Sequence, residues 1–194
     1  MFTLLLDSSS AYLNVGFMKD GKLFCYSSYE SWQTQSEKMV PEIDKLMNEY
    51  GISRNDIVSI VTAVGPGSYT GVRIALTIAK IVSLSLNIPI YPVSSLRILK
   101  NGKIPSICLI NARSGRSYFA VYEGEKTIIP DSILRNEEVV KYINEHPDYS
   151  ICGDARYLGY DFNDTNVCEQ MVTLFPYLEK IDDSLGLKPI YMKD

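Results

Sequence analysis

Gly65-Pro66-Gly67-Ser68-Tyr69-Thr70-Gly71-Val72-Arg73 is the segment around which the rest of this sequence is best understood. An apolar run ends just before it at Val64, and a long apolar run begins within it at Val72. Glycine reaches backbone angles that other residues avoid, and a serine or threonine after a turn often caps a helix. The segment therefore predicts a strand, a tight turn and a helix, with structural roles for Gly65, Gly67, Ser68, Thr70 and Gly71.

Glycine turns at helix N-termini often bind phosphate, because free N–H groups and the helix dipole both point at the anion. Two fingerprints of such sites do not match this turn. A P-loop has lysine directly after its last glycine, whereas Val72 and Arg73 follow Gly71 here. A dinucleotide-binding loop has its third glycine three residues after the second, whereas Gly71 comes four after Gly67. The turn is therefore interpreted as structural, and no cofactor is expected.

Composition predicts a soluble protein of one domain or two small lobes. The chain has 194 residues, of which 46% are hydrophobic, and its formal net charge is -4. The longest uncharged run, residues 81–96, contains serine, asparagine and proline, so no membrane span is expected. The first residues lack the basic start of a signal peptide, which favours a cytoplasmic location. An acidic chain does not bind a polyanion well by itself, so any contact with nucleic acid is expected through a partner.

The second half of the sequence repeats the pattern of the first. Apolar segments of strand type, one amphipathic helix and a glycine hairpin recur in the same order, and Asn111 stands where the first copy has Asp7. This repetition predicts an α/β fold of two duplicated lobes with mixed sheets. The N-terminal lobe, residues 1–100, contains the glycine turn. The C-terminal lobe and tail, residues 101–194, are reduced.

Such a duplicated lobe resembles the actin and sugar-kinase superfamily, which is ribonuclease H-like. In that superfamily, acidic strand ends in both lobes face a nucleotide cleft, and Asp7 fits that position in the first lobe. The second lobe offers Asn111 and Arg113, which do not supply a second carboxylate for a metal-bound nucleotide. Asp154 is the remaining acidic candidate. A nucleotide-binding phosphotransferase is therefore kept as the alternative function, and Asp7 is also explained as a turn-capping residue.

The motifs together resemble the TsaB family, also called YeaZ. The resemblance rests on the following segments, which extend over almost the whole chain: 4–9, 35–44, 65–73, 93–96, Ala112-Arg113 with Tyr118, and 187–191. It implies a non-catalytic subunit that pairs with the catalytic paralogue TsaD in making threonylcarbamoyladenosine in tRNA. It also implies a TsaE-type ATPase in the assembled complex, contact with tRNA only through that complex, and a homodimer when the subunit is alone.

A metallopeptidase is not expected from this sequence. Zinc and iron sites of that class need imidazoles at fixed spacing, and the chain contains a single histidine, His146. The isolated protein is therefore expected not to cleave peptides. Because Asn111 replaces one carboxylate of the cleft, it is also expected not to hydrolyse ATP.

The helix after the glycine turn is apolar on two sides. One side carries small residues and is expected to lie on the sheet. The other side carries Ile74, Thr77, Ile81 and Leu84 at the spacing of one helix packing on another. The first helix, residues 36–50, is expected to add Met39, Glu42 and Leu46 to this partner interface. The alternative is that the second lobe or the C-terminal tail covers it.

Overall fold

The computed structural model of this chain describes residues 1–102, 104–161 and 165–192. Its first lobe is built on a five-stranded sheet with the order β3-β2-β1-β4-β5. The strands are β1 (Phe2–Asp7), β2 (Tyr12–Lys19), β3 (Lys22–Glu30), β4 (Ile57–Ala63) and β5 (Ile90–Val93). β1 to β3 form an antiparallel meander, and β4 and β5 run parallel to β1. The sheet is therefore mixed, as the sequence pattern predicts.

Two layers of helix cover this sheet, because successive side chains of a strand point to opposite faces. Every residue of β1 is buried. Leu4 and Leu6 pack in the core under α1 (Gln35–Tyr50) and α2 (Tyr69–Leu86), whereas Leu5 packs in a separate cluster on the other face. That second cluster includes α4 (Val167–Leu174). The central strand thus holds both layers together.

The second lobe repeats the first with one strand fewer. Its sheet has the order β8-β7-β6-β9. The strands are β6 (Ser106–Arg113), β7 (Arg116–Glu123), β8 (Lys126–Arg135) and β9 (Ser150–Cys152), and α3 (Asn136–Glu145) packs on the sheet. β6 pairs antiparallel with β7 and parallel with β9, as β1 does with β2 and β4. The predicted fold of duplicated lobes, the second reduced, is confirmed.

The last helix does not stay with the second lobe. Cys168 and Met171 of α4 are buried in the same cluster as Leu5, and Ile181 pairs with Ile90 at the edge of β5. The division at residue 100 therefore describes the two sheets, but residues 167–192 return to the first lobe. The physical reason is that the α4 side of the first sheet is apolar and needs a covering layer.

α2 is, among the residues described, the one helix long and apolar enough to cross a bilayer by length and composition. Its packing is that of a core helix. Gly71, Ala75 and Ala79 are buried against the first sheet, where the hydrogen of Gly71 and the methyl groups of the two alanines let the helix approach the strands closely. The opposite side of α2, which faces away from the sheet, is part of the candidate site.

Candidate functional site

The glycine turn is held in place by the end of β1. Ser68 caps α2, since its side chain accepts a hydrogen bond from Gly71 N at 3.2 Å, and its own N–H donates to Ser9 O at 2.7 Å. Ser8 Oγ donates to Gly71 O at 2.8 Å. Thr70, the other predicted cap, lies exposed in the first turn instead. Because Ser68 N and Gly71 N already have protein partners, this turn is not an open phosphate cradle of the P-loop type.

The glycines of the turn are required by close contacts. A Cβ placed on Gly67 would lie 2.4 Å from Ser9 O, and one on Gly71 would lie 1.9 Å from Ser8 O. A Cβ on Gly65 would lie 2.7 Å from Ile190 O. Each of these neighbours is a backbone atom, which cannot rotate away as a side chain does. The three glycines therefore allow the glycine turn, the turn after β1 and the segment around Ile190 to approach one another closely.

α2 exposes an apolar stripe on the side away from the sheet. Ile81 is 58% exposed and Leu84 is 55% exposed, although both are large apolar residues. Thr77 is also exposed, and Ile74 is half-buried. Isolated apolar residues at a surface are common, but a contiguous stripe marks an interaction site more often. The structure thus brings these four predicted interface residues together on one side of the helix.

The contribution predicted from α1 is wrong for all three of its residues, Met39, Glu42 and Leu46. Met39 is 0% exposed, and Leu46 is also buried in the core of the first lobe. Glu42 is buried too, and its carboxylate accepts hydrogen bonds from Tyr29 and Lys45 at 3.3 and 2.9 Å. None of the three offers an apolar surface to a partner. The reason is that α1 has one apolar side, and the sheet uses it.

Val40 is the residue of α1 that the sequence prediction missed. It is 54% exposed and lines a shallow depression of about 420 Å³ between α1 and α2. The helical step of 100° places it beside Met39 but turned toward solvent. The residues lining the depression are Ser36, Val40, Tyr69, Thr70, Arg73, Ile74, Thr77 and Ile78. This depression, together with the exposed Ile81 and Leu84, is called the α1–α2 face below.

A larger cleft of about 820 Å³ lies between the two lobes. Asp7 is at its base and is buried, and burial raises the pKa of this carboxyl. Its two oxygens accept hydrogen bonds from Ser9 N and from Asn14 Nδ2, both at 3.0 Å. The bond to Ser9 is the local turn that a residue of this type forms with the backbone two positions later. Asp7 therefore caps a turn, as the sequence predicts for it.

The second lobe presents two polar turns to the same cleft. Asn111 Oδ1 accepts from Arg113 N at 2.8 Å, and the guanidinium of Arg113 lies 5.6 Å from the centre of the Trp32 ring in the first lobe. Asp154 is paired with Arg156 through two side-chain bonds of 2.8 and 2.6 Å. Hydrogen bonding from Arg156 lowers the pKa of the Asp154 carboxyl. Asn111 and Asp154 are thus engaged in local turns of the same type as that of Asp7.

Comparison with known proteins decides the family. The family model described as "TsaD: tRNA N6-adenosine threonylcarbamoyltransferase" matches residues 30–167, more than half of the chain. The "tRNA threonylcarbamoyladenosine biosynthesis protein TsaB" of Bacillus subtilis is 31% identical over 97% of this chain and 78% of its own length. The chain belongs to the TsaB family.

One further relative agrees with this assignment, and one solved structure shares the fold. TsaB of Buchnera aphidicola subsp. Schizaphis graminum is 32% identical to this TsaB-family chain over 65% of the chain and 62% of the relative. The solved structure of YeaZ from Pseudomonas aeruginosa superposes with a TM-score of 0.83 and 20% identity, and the match covers 98% of this chain and 99% of that one. This structural likeness shows a shared fold. The family match also includes α1, the glycine turn and α2.

The single histidine of this TsaB-family chain lies outside both surfaces. His146 follows α3, its Nδ1 lies 2.8 Å from the carbonyl oxygen of Tyr142, and its ring stacks on that of Tyr142. Within residues 1–102, 104–161 and 165–192, no three His, Cys, Asp or Glu side chains are grouped so that they could hold a metal ion. The environment of His146 is that of a packed helix end.

Proposed function

We propose that this chain is the non-catalytic scaffold and activator subunit of the bacterial machinery that makes N6-threonylcarbamoyladenosine (t6A) in tRNA. The names of its relatives support a role in t6A biosynthesis. In this proposal the chain pairs with a TsaD-type catalytic paralogue in the cytoplasm, and a TsaE-type ATPase joins the pair. The chain contacts tRNA only through that complex and forms a homodimer when alone.

The observation that carries the proposal is the α1–α2 face. Ile81, Leu84 and Val40 each leave more than half of an apolar side chain in water. Burying such a side chain stabilises a contact by about 1 kcal/mol, since full burial is worth about 1.5–3 kcal/mol. Among residues 104–161 and 165–192, nothing covers these side chains, so the face is available to a partner helix.

The cleft supports a non-catalytic role. Phosphoryl transfer needs carboxylates that hold the metal and a base near the acceptor. Here both oxygens of Asp7 accept hydrogen bonds within the first lobe, and Asp154 is paired with Arg156. Asn111, the third of these polar residues at the cleft, carries an amide rather than a carboxylate. These groups are engaged in holding the turns of the protein itself.

A nucleotide-binding phosphotransferase is the second candidate, and the size of the interlobe cleft is the observation in its favour. Calorimetry with Mg-ATP distinguishes the two functions. A kinase binds its substrate in the micromolar to millimolar range. The scaffold is expected to show no turnover of ATP after rigorous purification.

The proposal is tested by Ile81→Asp. Burying an unpaired carboxylate at a contact costs several kcal/mol, so this variant should no longer co-purify with TsaD from the same cell. Its melting temperature should match that of the wild type, because the replaced side chain is mostly in water. Leu84→Asp should behave in the same way.

Ile104→Asp is the matched control, since Ile104 is an equally exposed isoleucine outside the α1–α2 face. It should bind TsaD as the wild type does. If Ile81→Asp and Leu84→Asp stay folded and still bind TsaD, the contact lies elsewhere and the proposed face is wrong.

A further inference from the structure

Two cysteines of the second lobe face each other across neighbouring strands. Cys108 of β6 is the partner of Cys152 of β9 in the parallel register of the sheet. Their side chains lie on the same face, since both belong to one buried cluster that also contains Leu96 and Tyr122. Both are free thiols in this structure. A disulfide joins residues whose Cα atoms are about 4.4–6.8 Å apart, and adjacent strands lie about 4.7–4.9 Å apart. A disulfide can therefore bridge this pair without parting the strands.

Hydrogen bonds make Cys152 the more acidic thiol of the pair. The bond from Cys108 contributes most, and it lowers the pKa of Cys152 to about 7 against the opposing effect of burial. The hydroxyls of Ser150 and Ser106 and the backbone of Asn101 act in the same direction. The oxygen of Ser150 lies 3.7 Å from the Cys152 sulfur. Burial raises the pKa of Cys108, which keeps its proton. The pair thus combines a sulfur that is partly thiolate at neutral pH with a neighbouring thiol.

Cys152 lies one layer below the surface. Its side chain is completely buried, but Asn101, whose backbone bonds to its sulfur, is exposed. Gly102 and Ile104 are exposed as well. β9 is three residues long and lies at the edge of its sheet. Short edge strands and exposed loops open locally at a lower free energy than a core does. A small oxidant therefore needs only a local opening, rather than unfolding of the lobe, to reach this sulfur.

The other two cysteines are arranged differently. Cys25 packs in the cluster under α1 and α2, whereas Cys168 packs in the cluster on the opposite face of the first sheet. The sheet lies between their side chains. Burial raises the pKa of Cys25 to about 11, and it also raises the pKa of Cys168. Both therefore keep their protons at neutral pH, and they serve as internal controls.

We propose that Cys108 and Cys152 are a redox-active pair that closes to a disulfide when the protein meets a hydroperoxide. The Cys152 thiolate attacks one oxygen of hydrogen peroxide, so that a sulfur–oxygen bond forms and the oxygen–oxygen bond breaks. The leaving hydroxide takes up the proton that the thiol released and becomes water. The Cys108 sulfur then attacks the sulfenic acid on Cys152, and the sulfenic oxygen leaves with the Cys108 proton as a second water. The two thiols lose two electrons, which the peroxide gains.

The disulfide would tie β9 to β6 immediately before Gly153 and Asp154, which line the interlobe cleft. A dithiol reductant reverses the step by thiol–disulfide exchange. This chemistry involves no partner protein, so it is independent of pairing with TsaD.

Peptide mapping of the wild-type protein after treatment with dilute hydrogen peroxide at neutral pH tests the pair. The intact protein should lose the mass of two hydrogen atoms and keep its circular dichroism spectrum. Digestion should yield a linked peptide that contains Cys108 and Cys152, and excess dithiothreitol should restore four free thiols. Cys25 should be oxidised on the order of 100-fold more slowly than Cys152, because its thiolate fraction is far smaller.

Substitutions assign the roles of the two sulfurs. Cys108→Ser keeps a hydrogen-bond donor beside Cys152 but removes the second thiol, so sulfenic acid should accumulate on Cys152 and be trapped by dimedone, a reagent for sulfenic acids. Cys152→Ser should give no disulfide and no such adduct on Cys108. The matched control is Cys25→Ala/Cys168→Ala, which retains only the proposed pair and should close as the wild type does.

Two results with the wild type would overturn the proposal, and neither depends on a variant that folds. One is the survival of four free thiols under peroxide. The other is a linked peptide that appears only after the circular dichroism signal of the fold is lost. A dimedone adduct on Cys25 or Cys168, but not on Cys152, in the Cys108→Ser protein would also contradict it.

Discussion

Gly71→Ala gives a test in which the sign of the effect matters as much as its size. At an open helical position, this change stabilises a protein by up to about 1 kcal/mol, because alanine is the better helix former. Gly71 is not an open position. Its Cβ would lie 1.9 Å from Ser8 O, where ordinary contacts begin at 3.4 Å. α2 and the end of β1 must therefore move apart by about 1.5 Å, as estimated from the difference between those two distances.

The expected loss follows from what this movement breaks. Forcing an extra carbon into a packed site costs about 1–3 kcal/mol. The hydrogen bond from Ser8 Oγ to Gly71 O, now 2.8 Å long, contributes about 1 kcal/mol more. After the gain in helix propensity is subtracted, we expect the free energy of unfolding to fall by about 2 kcal/mol. For a chain of this size, that lowers the melting temperature by about 4–8 °C.

The assay is thermal unfolding by circular dichroism, supported by urea titration. Thr70→Ala is the control, because Thr70 is the exposed neighbour in the same helical turn and its replacement should change stability by at most about 0.5 kcal/mol. A Gly71→Ala protein that melts at or above the wild-type temperature would refute the reasoning. In that case the turn tolerates a side chain, and the close approach of α2 to Ser8 is not required.

Three further outcomes are expected. Gly67→Ala should lower the melting temperature, because its Cβ would meet Ser9 O at 2.4 Å. Gly124→Ala should lower it less, because no atom lies near the added carbon. Equal losses of stability in calorimetry would contradict this. Burial raises the pKa of Asp7, so the folded state keeps this proton to higher pH than the unfolded chain, and the stability from Asp7 falls as pH rises above 3.8. Urea titrations across pH should show that Asp7→Asn removes this fall in stability. Identical pH profiles of stability for the wild type and Asp7→Asn would argue against it. Finally, the isolated wild-type protein should show no phosphate release from Mg-ATP, and turnover that persists through purification would count against the scaffold role.

Most of the fold could be predicted because its signals are local. The apolar run of β4, three glycines and a capping serine lie within fifteen residues of one another, so the strand, turn and helix follow from neighbouring residues alone. The repetition of strand, hairpin and helix likewise predicts the second lobe. The two apolar sides of α2 are visible in its spacing, and Ile81 and Leu84 are indeed exposed.

The choice between Met39 and Val40 required the folded chain. Both are apolar, they are adjacent, and periodicity alone assigns them to one broad side of α1. Their roles separate because the sheet contacts one edge of that side and leaves the other open. Met39 is completely buried in consequence, and Val40 faces the depression beside α2.

Contacts between distant residues were also beyond the sequence pattern. Lys80 meets Leu185 across 105 positions, and Tyr69 stacks on Tyr191 from the other end of the same helix. Periodicity describes which side of an element is apolar, but it carries no information about which remote segment will cover that side. The return of residues 167–192 to the first lobe is set by the uncovered apolar surface around Leu5, which exists only once the sheet has formed.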